Sequence, residues 1–240
     1  SNMIMGETAE KLATELGISR REQDEYALLS QERAASSIAK GRFKDEICPV
    51  QITDKKATID FVCDEHARSK TVIEDLEKLS PVFSKTGTVT AGNSSGITDG
   101  AAALVLLSED ALKKNGVEPQ ARIVDYTIVG VEPSVMGIGP VPAVEQLMAR
   151  TKLSLDQIDL VELNEAFAAQ VLACLRSLPI DKERLNVNGG AIAIGHPIGA
   201  TGTRIVVTLL HELAKRKGRY GLATLCISGG MGIALLVERM

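Results

Sequence analysis

From Ala121 to the end of the chain, apolar runs rich in Val, Ile and Leu alternate with longer helical stretches, and this alternation limits the possible folds more than any other feature. The pattern predicts strands over 121–131, 158–163 and 185–188, separated by helices over 141–150 and 165–177. A helix over 201–216 follows, then strands over 220–227 and 232–238 that can pair as a hairpin. Strands and helices at this spacing form a layered α/β sheet, because the connecting helices must cover the apolar strand faces.

The first 120 residues read differently. A helix that includes Thr8 stops at Gly17, and Ser19 with Glu22 forms a capping box that opens a polar amphipathic helix reaching about Lys40. A short strand is expected over 48–53, a loop or irregular sheet over 54–70, and a second capping box over Thr71–Glu74. Ala101 to Leu107 is a continuous apolar run, as in a strand covered on both faces.

The chain has 240 residues, 45% hydrophobic and 24% charged, which suits a globular protein of one or two domains. A net charge of -4 gives no basic surface for a phosphate backbone, so no nucleic-acid partner is expected. No run of 18 apolar residues predicts a membrane span, and Ser1-Asn2-Met3 lacks signal-peptide character, which makes the cytoplasm the default setting. Cys48, Cys63, Cys174 and Cys226 are far apart with no Cys-x-x-Cys pair, and the three histidines are equally scattered. No metal site is expected.

Ligands of open α/β sheets gather beyond the carboxyl ends of the strands. Three such places carry reactive groups. Asn164-Glu165-Ala166-Phe167 follows the 158–163 strand, and Cys226 ends the 220–227 strand. Residues 189–202, Gly-Gly-Ala-Ile-Ala-Ile-Gly-His-Pro-Ile-Gly-Ala-Thr-Gly, set His196 among five glycines. An amide can hold water, an imidazole can donate or accept a proton, and a perturbed thiol can exchange one. Taken singly, Asn164 also reads as a helix cap, Glu165 as a first-turn partner of the helix dipole, His196 as a structural histidine in a turn, and Cys226 as a small buried apolar residue. The Walker spacing of a phosphate loop is absent. Residues 87–100, Gly-Thr-Val-Thr-Ala-Gly-Asn-Ser-Ser-Gly-Ile-Thr-Asp-Gly, read either as a polar turn or as a small-residue surface for a ligand.

Together the stretches beginning at Asn164, Gly189 and Cys226 resemble the three carboxyl-terminal signatures of thiolases, in that family's order, and 87–96 resembles its coenzyme A loop. The acetyl-CoA acetyltransferase branch is the nearest fit. The resemblance implies a partial layered αβαβα fold: residues 1–97 as a coenzyme A binding loop domain, 98–118 as a remnant of an amino-terminal core, and 119–240 as a complete carboxyl-terminal βαβαβαββ domain. It implies reversible condensation of two acetyl-CoA molecules to acetoacetyl-CoA and CoA. In that chemistry His196 activates a nucleophilic thiol, a water on Asn164 helps hold the enolate oxygen, and Cys226 is the acid/base. Ser95 and Ala91 would meet the pantetheine part of coenzyme A, and Arg68 its adenine end. Met5, Met136 and Phe167 would line the acyl pocket. Acyl-CoA is then a substrate, no cofactor is required, and a homo-oligomer is expected. The family's nucleophilic cysteine belongs to an amino-terminal part that these 240 residues do not match, so the chain alone is expected not to turn over. The alternative is a thiolase-like module that binds coenzyme A or assembles without catalysis.

Overall fold

The computed structural model describes residues 2–54 and 57–240. Helix α1 (Met5–Glu15) begins before Thr8, because the Glu7 carboxylate accepts the Ile4 N–H at 2.9 Å, and it stops at Gly17 with φ at 61°. Helix α2 (Arg20–Ala39) has the expected capping box: Glu22 N–H donates to Ser19 Oγ at 3.2 Å and Ser19 N–H to Glu22 Oε2 at 2.8 Å. Such a cap is worth about 1 kcal/mol. Strands β1 (Val50–Asp54) and β2 (Ala57–Phe61) pair antiparallel as an exposed hairpin.

Two expectations for this region fail. Helix α3 (Ile73–Glu77) is capped at Val72 without a side-chain bond, since the Thr71 hydroxyl donates instead to Arg68 O at 2.9 Å. The apolar run 101–107 is not a strand: Val105 and Leu106 are 85% and 72% exposed, and no described strand lies beside it. Apolar composition does not make a strand without a neighbour to take its hydrogen bonds. Helix α4 (Glu109–Asn115) follows, capped by the Ser108 hydroxyl.

The C-terminal part holds the expected layered α/β arrangement. Strands β3 (Ala121–Gly130), β4 (Leu160–Leu163), β5 (Tyr220–Ile227) and β6 (Met231–Arg239) form one sheet in the order β3-β6-β5-β4, with β4 parallel to β5 and the other pairs antiparallel. Strand alternation sends Val161, Leu222 and Leu236 to one face, against α5 (Pro140–Thr151) and α6 (Ala168–Ser177). Leu160, Ala223 and Val237 point to the other face, under α8 (Thr201–Arg216). Ile205, Leu209 and Leu213 of α8 are each no more than 1% exposed, contributing about 1.5–3 kcal/mol apiece by burial. Helices α1 and α2 pack in turn on α6.

The strand expected at 185–188 shrinks to a single bridge between Leu185 and Val161. Asn186 turns the chain away with φ at 44°, and its side chain takes over the ladder by accepting Leu163 N–H at 2.9 Å and donating to Leu163 O at 2.8 Å. The helix expected from 165 begins only at Ala168, with Phe167 as its cap. Asn164 and Glu165 are therefore neither helix cap nor first-turn residue. Both are free to point into the space between β4 and the 189–202 stretch.

Candidate active site

The 189–202 stretch holds a one-turn helix, α7 (Ala191–Ile194), that the sequence pattern does not reveal. Gly195 then takes φ at 96°, and a Cβ there would lie 2.5 Å from Thr98 Oγ1. This tight turn presents His196, whose backbone N–H donates to Gly96 O at 2.9 Å and ties it to the 87–100 segment. The five glycines of the stretch are not equivalent. A Cβ at Gly202, inside α8, would meet nothing within 4 Å. Gly202→Ala is expected to raise stability by about 0.5–1 kcal/mol, read as a higher denaturation midpoint.

His196 Nδ1 lies 2.6 Å from the Thr201 hydroxyl, which is itself 3.0 Å from Pro197 O, and His196 Nε2 lies 3.4 Å from Asn164 Nδ2. The one hydroxyl proton sets the imidazole's state. Donated to Pro197 O, it leaves Thr201 Oγ to accept Nδ1–H, and Nε2 is a lone pair; donated to Nδ1, it leaves Nε2 as an N–H donor. Burial first, then the Arg204 charge, holds the imidazole pKa below its ordinary value, so the ring is neutral at pH 7. Asn164 is 1% exposed and its Oδ1 has no partner among the described residues. A buried unpaired acceptor costs about 1–3 kcal/mol, which a water or ligand in this space would recover.

Cys226 packs with Met136, Phe167 and Ala166, the last of which is two residues along the chain from Asn164. Burial pushes its thiol up to about 12, so it rests protonated. Ser95 joins the same ground: its N–H and its hydroxyl both donate to Ala166 O at 3.0 Å. The 87–100 segment is thus more than a polar turn. Glu10 of α1 accepts Thr88 and Val89 N–H, Asp24 of α2 accepts Asn93 Nδ2, and Ala168 N–H of α6 donates to Asn93 O.

The Asn164–His196 pair is therefore linked to the group of Cys226, Met136 and Phe167 through Ala166, whose carbonyl also takes the Ser95 bonds. Met5, Ala91 and Arg68 are exposed and make none of these contacts; the Arg68 backbone N–H donates to Gln31 Oε1. A cleft of about 430 Å³ lined by residues 98–102 and 197–200 opens beside the imidazole turn. No cluster of His, Cys, Asp or Glu suited to a metal occurs among the described residues, and no described helix is long and apolar enough to cross a membrane.

Two buried carboxylates stand here: the sequence offers Glu165 only as a first-turn dipole partner, and Glu162 is not singled out by it at all. Glu165, 1% exposed, accepts hydrogen bonds from α2 and α7. Glu162 on β4 is 3% exposed and 3.6 Å from the Arg204 guanidinium. The sequence signal for Glu162 is a charge within an apolar strand. Burial pushes Glu162 up to about 8 against the pull of Arg204, and pushes Glu46 up to about 7. The folded chain thus keeps protons that the unfolded chain releases above 4.5, so this part of the stability is full below 4.5 and is lost as pH rises toward 8. The histidines, all lowered from 6.5, act in the opposite sense but only below 6.5. Between pH 6.5 and 8.5 chemical denaturation should show stability falling by on the order of 2 kcal/mol, and Glu162→Gln should remove most of that slope.

Comparison with known proteins covers nearly all of the chain. The family model "Thiolase, C-terminal domain" matches residues 117–239 and "Thiolase, N-terminal domain" matches 1–110. The chain is 54% identical over 236 residues to an acetyl-CoA acetyltransferase of Escherichia coli, covering 98% of this chain and 60% of that one. It is 52% identical over 234 residues to a human mitochondrial 3-ketoacyl-CoA thiolase, covering 98% and 59%. Among solved structures, the Bacillus anthracis acetyl-CoA acetyltransferase superposes with a TM-score of 0.97 at 48% identity, over 99% of this chain and 60% of that one. Human mitochondrial 3-ketoacyl-CoA thiolase in complex with CoA gives 0.92 at 50% identity, over 99% and 59%. The chain therefore spans about three fifths of the length of these relatives. With both family models, the fold and the three signature turns in agreement, this chain belongs to the thiolase family.

Proposed function

We propose that this chain carries the enolate-forming side of a thiolase site, acting on acetyl-CoA in the reversible formation of acetoacetyl-CoA. The observation that carries this reading is the Asn164–His196 pair joined through Ala166 to Cys226. With acetyl-CoA bound, the Cys226 thiolate takes a methyl proton and the electron pair moves to the thioester oxygen. That oxygen is stabilised by His196 Nε2–H, in the tautomer set by Thr201, and by a water on Asn164. An oriented donor of this kind is worth about 3 kcal/mol. In the reverse direction the Cys226 thiol returns the proton to carbon, and its high pKa makes this acid form the resting one.

The other tautomer, with a lone pair on Nε2, suits His196 to take the proton of a nucleophilic thiol. Cys48 and Cys63 are exposed and lie outside the contacts described above, while Cys174 is buried in the core, so that nucleophile comes from outside these 240 residues. The chain by itself then performs no thiolysis. Ser95, Ala91 and Arg68 would hold coenzyme A, and Met5, Met136 and Phe167 would border the acyl group. The reading needs no cofactor or metal, no nucleic acid and no membrane, and places a homo-oligomer in the cytoplasm.

Proton exchange needs no nucleophilic cysteine, so the chain itself can be tested. Acetyl-CoA incubated with it in D2O should lose its methyl proton signal faster than in buffer, while acetoacetyl-CoA is not cleaved. Methyl exchange at the buffer rate would overturn the proposal. The exposed apolar residues at 105 and 106 favour a second reading, a non-catalytic binding or assembly module. That reading expects coenzyme A binding without exchange.

A further inference from the structure

Glu165 is one peptide bond from Asn164, and its carboxylate receives four hydrogen bonds. Oε1 accepts from Tyr26 Oη at 2.9 Å and from Asn186 Nδ2 at 2.9 Å; Oε2 accepts from Ser30 Oγ at 2.7 Å and from Ile192 N–H at 3.2 Å. These donors belong to α2, to the Asn186 corner and to α7. The Ser30 hydroxyl also accepts Gly190 N–H at 3.1 Å, and a Cβ at Gly190 would stand 2.2 Å from the Glu165 carboxyl carbon. The carboxylate therefore fills the space that the glycine leaves. His196 is four residues beyond Ile192, across α7.

We propose that Glu165 is a positioning residue that holds Asn164 and the His196 turn in register with each other. The inference rests on the acyl-transfer reading for its purpose, but its geometry is independent of it. Asn164 and His196 come from separate segments, and their direct contact of 3.4 Å is too long to set their spacing. A four-coordinate carboxylate clamps both segments to α2. Glutamine has nearly the same shape, but whichever oxygen its amide nitrogen replaces, that nitrogen faces one donor that cannot accept, Asn186 Nδ2 or the Ile192 N–H, so Glu165→Gln keeps the volume and weakens the clamp.

The test reads the imidazole directly. Ring 15N spectra of the labelled 240-residue chain resolve its three histidines, with His196 assigned by its absence in His196→Gln. In Glu165→Gln the His196 ring signals are expected to shift and its N–H exchange with solvent to quicken about tenfold, the equivalent of one net hydrogen bond lost. His211, on α8, should stay as it was. Ser30→Ala should move His196 in the same direction by less. Tyr26→Phe removes a donor that does not reach the His196 stretch, and should lower the melting temperature with His196 unchanged. A folded Glu165→Gln chain with wild-type His196 signals would overturn the proposal. If that variant does not fold, wild-type His196 signals in Ser30→Ala overturn it. Failure of methyl exchange in the unaltered chain would instead remove the acyl-transfer reading and leave the clamp standing.

Discussion

Replacing Cys226 with serine is expected to slow deuterium exchange at the methyl group of acetyl-CoA by about a hundred- to ten-thousand-fold, the usual worth of a general acid/base. The two side chains differ by one atom, and the position is 8% exposed between Met136, Ala166 and Phe167, so packing changes little. Acidity changes greatly. Burial already holds the thiol up to about 12, and a hydroxyl in the same place has no accessible anion at neutral pH. The sign of the pH dependence follows. In the unaltered chain the thiolate fraction, and with it the exchange rate, should rise about tenfold per pH unit from 7 to 9, since both values lie below the thiol's pKa. Proton NMR of the methyl signal gives both numbers, and circular dichroism checks that the serine variant is folded. Exchange retained in Cys226→Ser would remove Cys226 from the mechanism.

Gly232→Ala should destabilise the chain by about 3 kcal/mol or more, at the upper end of what overpacking costs. Gly232 on β6 pairs with Cys226 on β5, and a Cβ there would stand 1.9 Å from Gly139 O, at the start of α5. The obstruction is backbone, which cannot swing aside as a side chain can. Gly139 is placed reciprocally, since a Cβ on it would lie 2.4 Å from Met231 O. Either α5 lifts from the sheet or β6 bends at the residue that faces Cys226. For a chain of this size the melting temperature should fall by about 6–12 °C. A stability loss of less than about 1 kcal/mol would mean that α5 is not seated against β6 as described. The same substitution at Gly202 adds a methyl group in open space. The opposite signs expected at these two positions make the pair a direct test of the packing.

The elements that the sequence made legible are those whose signals are local. The α2 capping box, the stop at Gly17, the boundaries of α8 and the β5–β6 hairpin all follow from residues within a few positions of one another. The candidate site was partly legible for the same reason. A histidine among glycines, an Asn after a strand and a Cys at a strand end are local patterns, and the family resemblance joined them.

What the sequence by itself determined is the layered α/β periodicity, the family and the set of groups available for chemistry. Tertiary structure decided the rest, because those features depend on partners distant in the chain. Asn186 displaced a strand by bonding to Leu163, and Thr71 gave its hydroxyl to a turn rather than a helix. The run at 101–107 stayed unpaired because strand formation requires a neighbour. Glu165 became a buried junction only when Tyr26 and Ser30 were brought to it across more than a hundred residues. Hydrophobic period is a property of one segment, whereas satisfaction of a buried polar group is a property of whatever surrounds it, and only the folded chain specifies those surroundings.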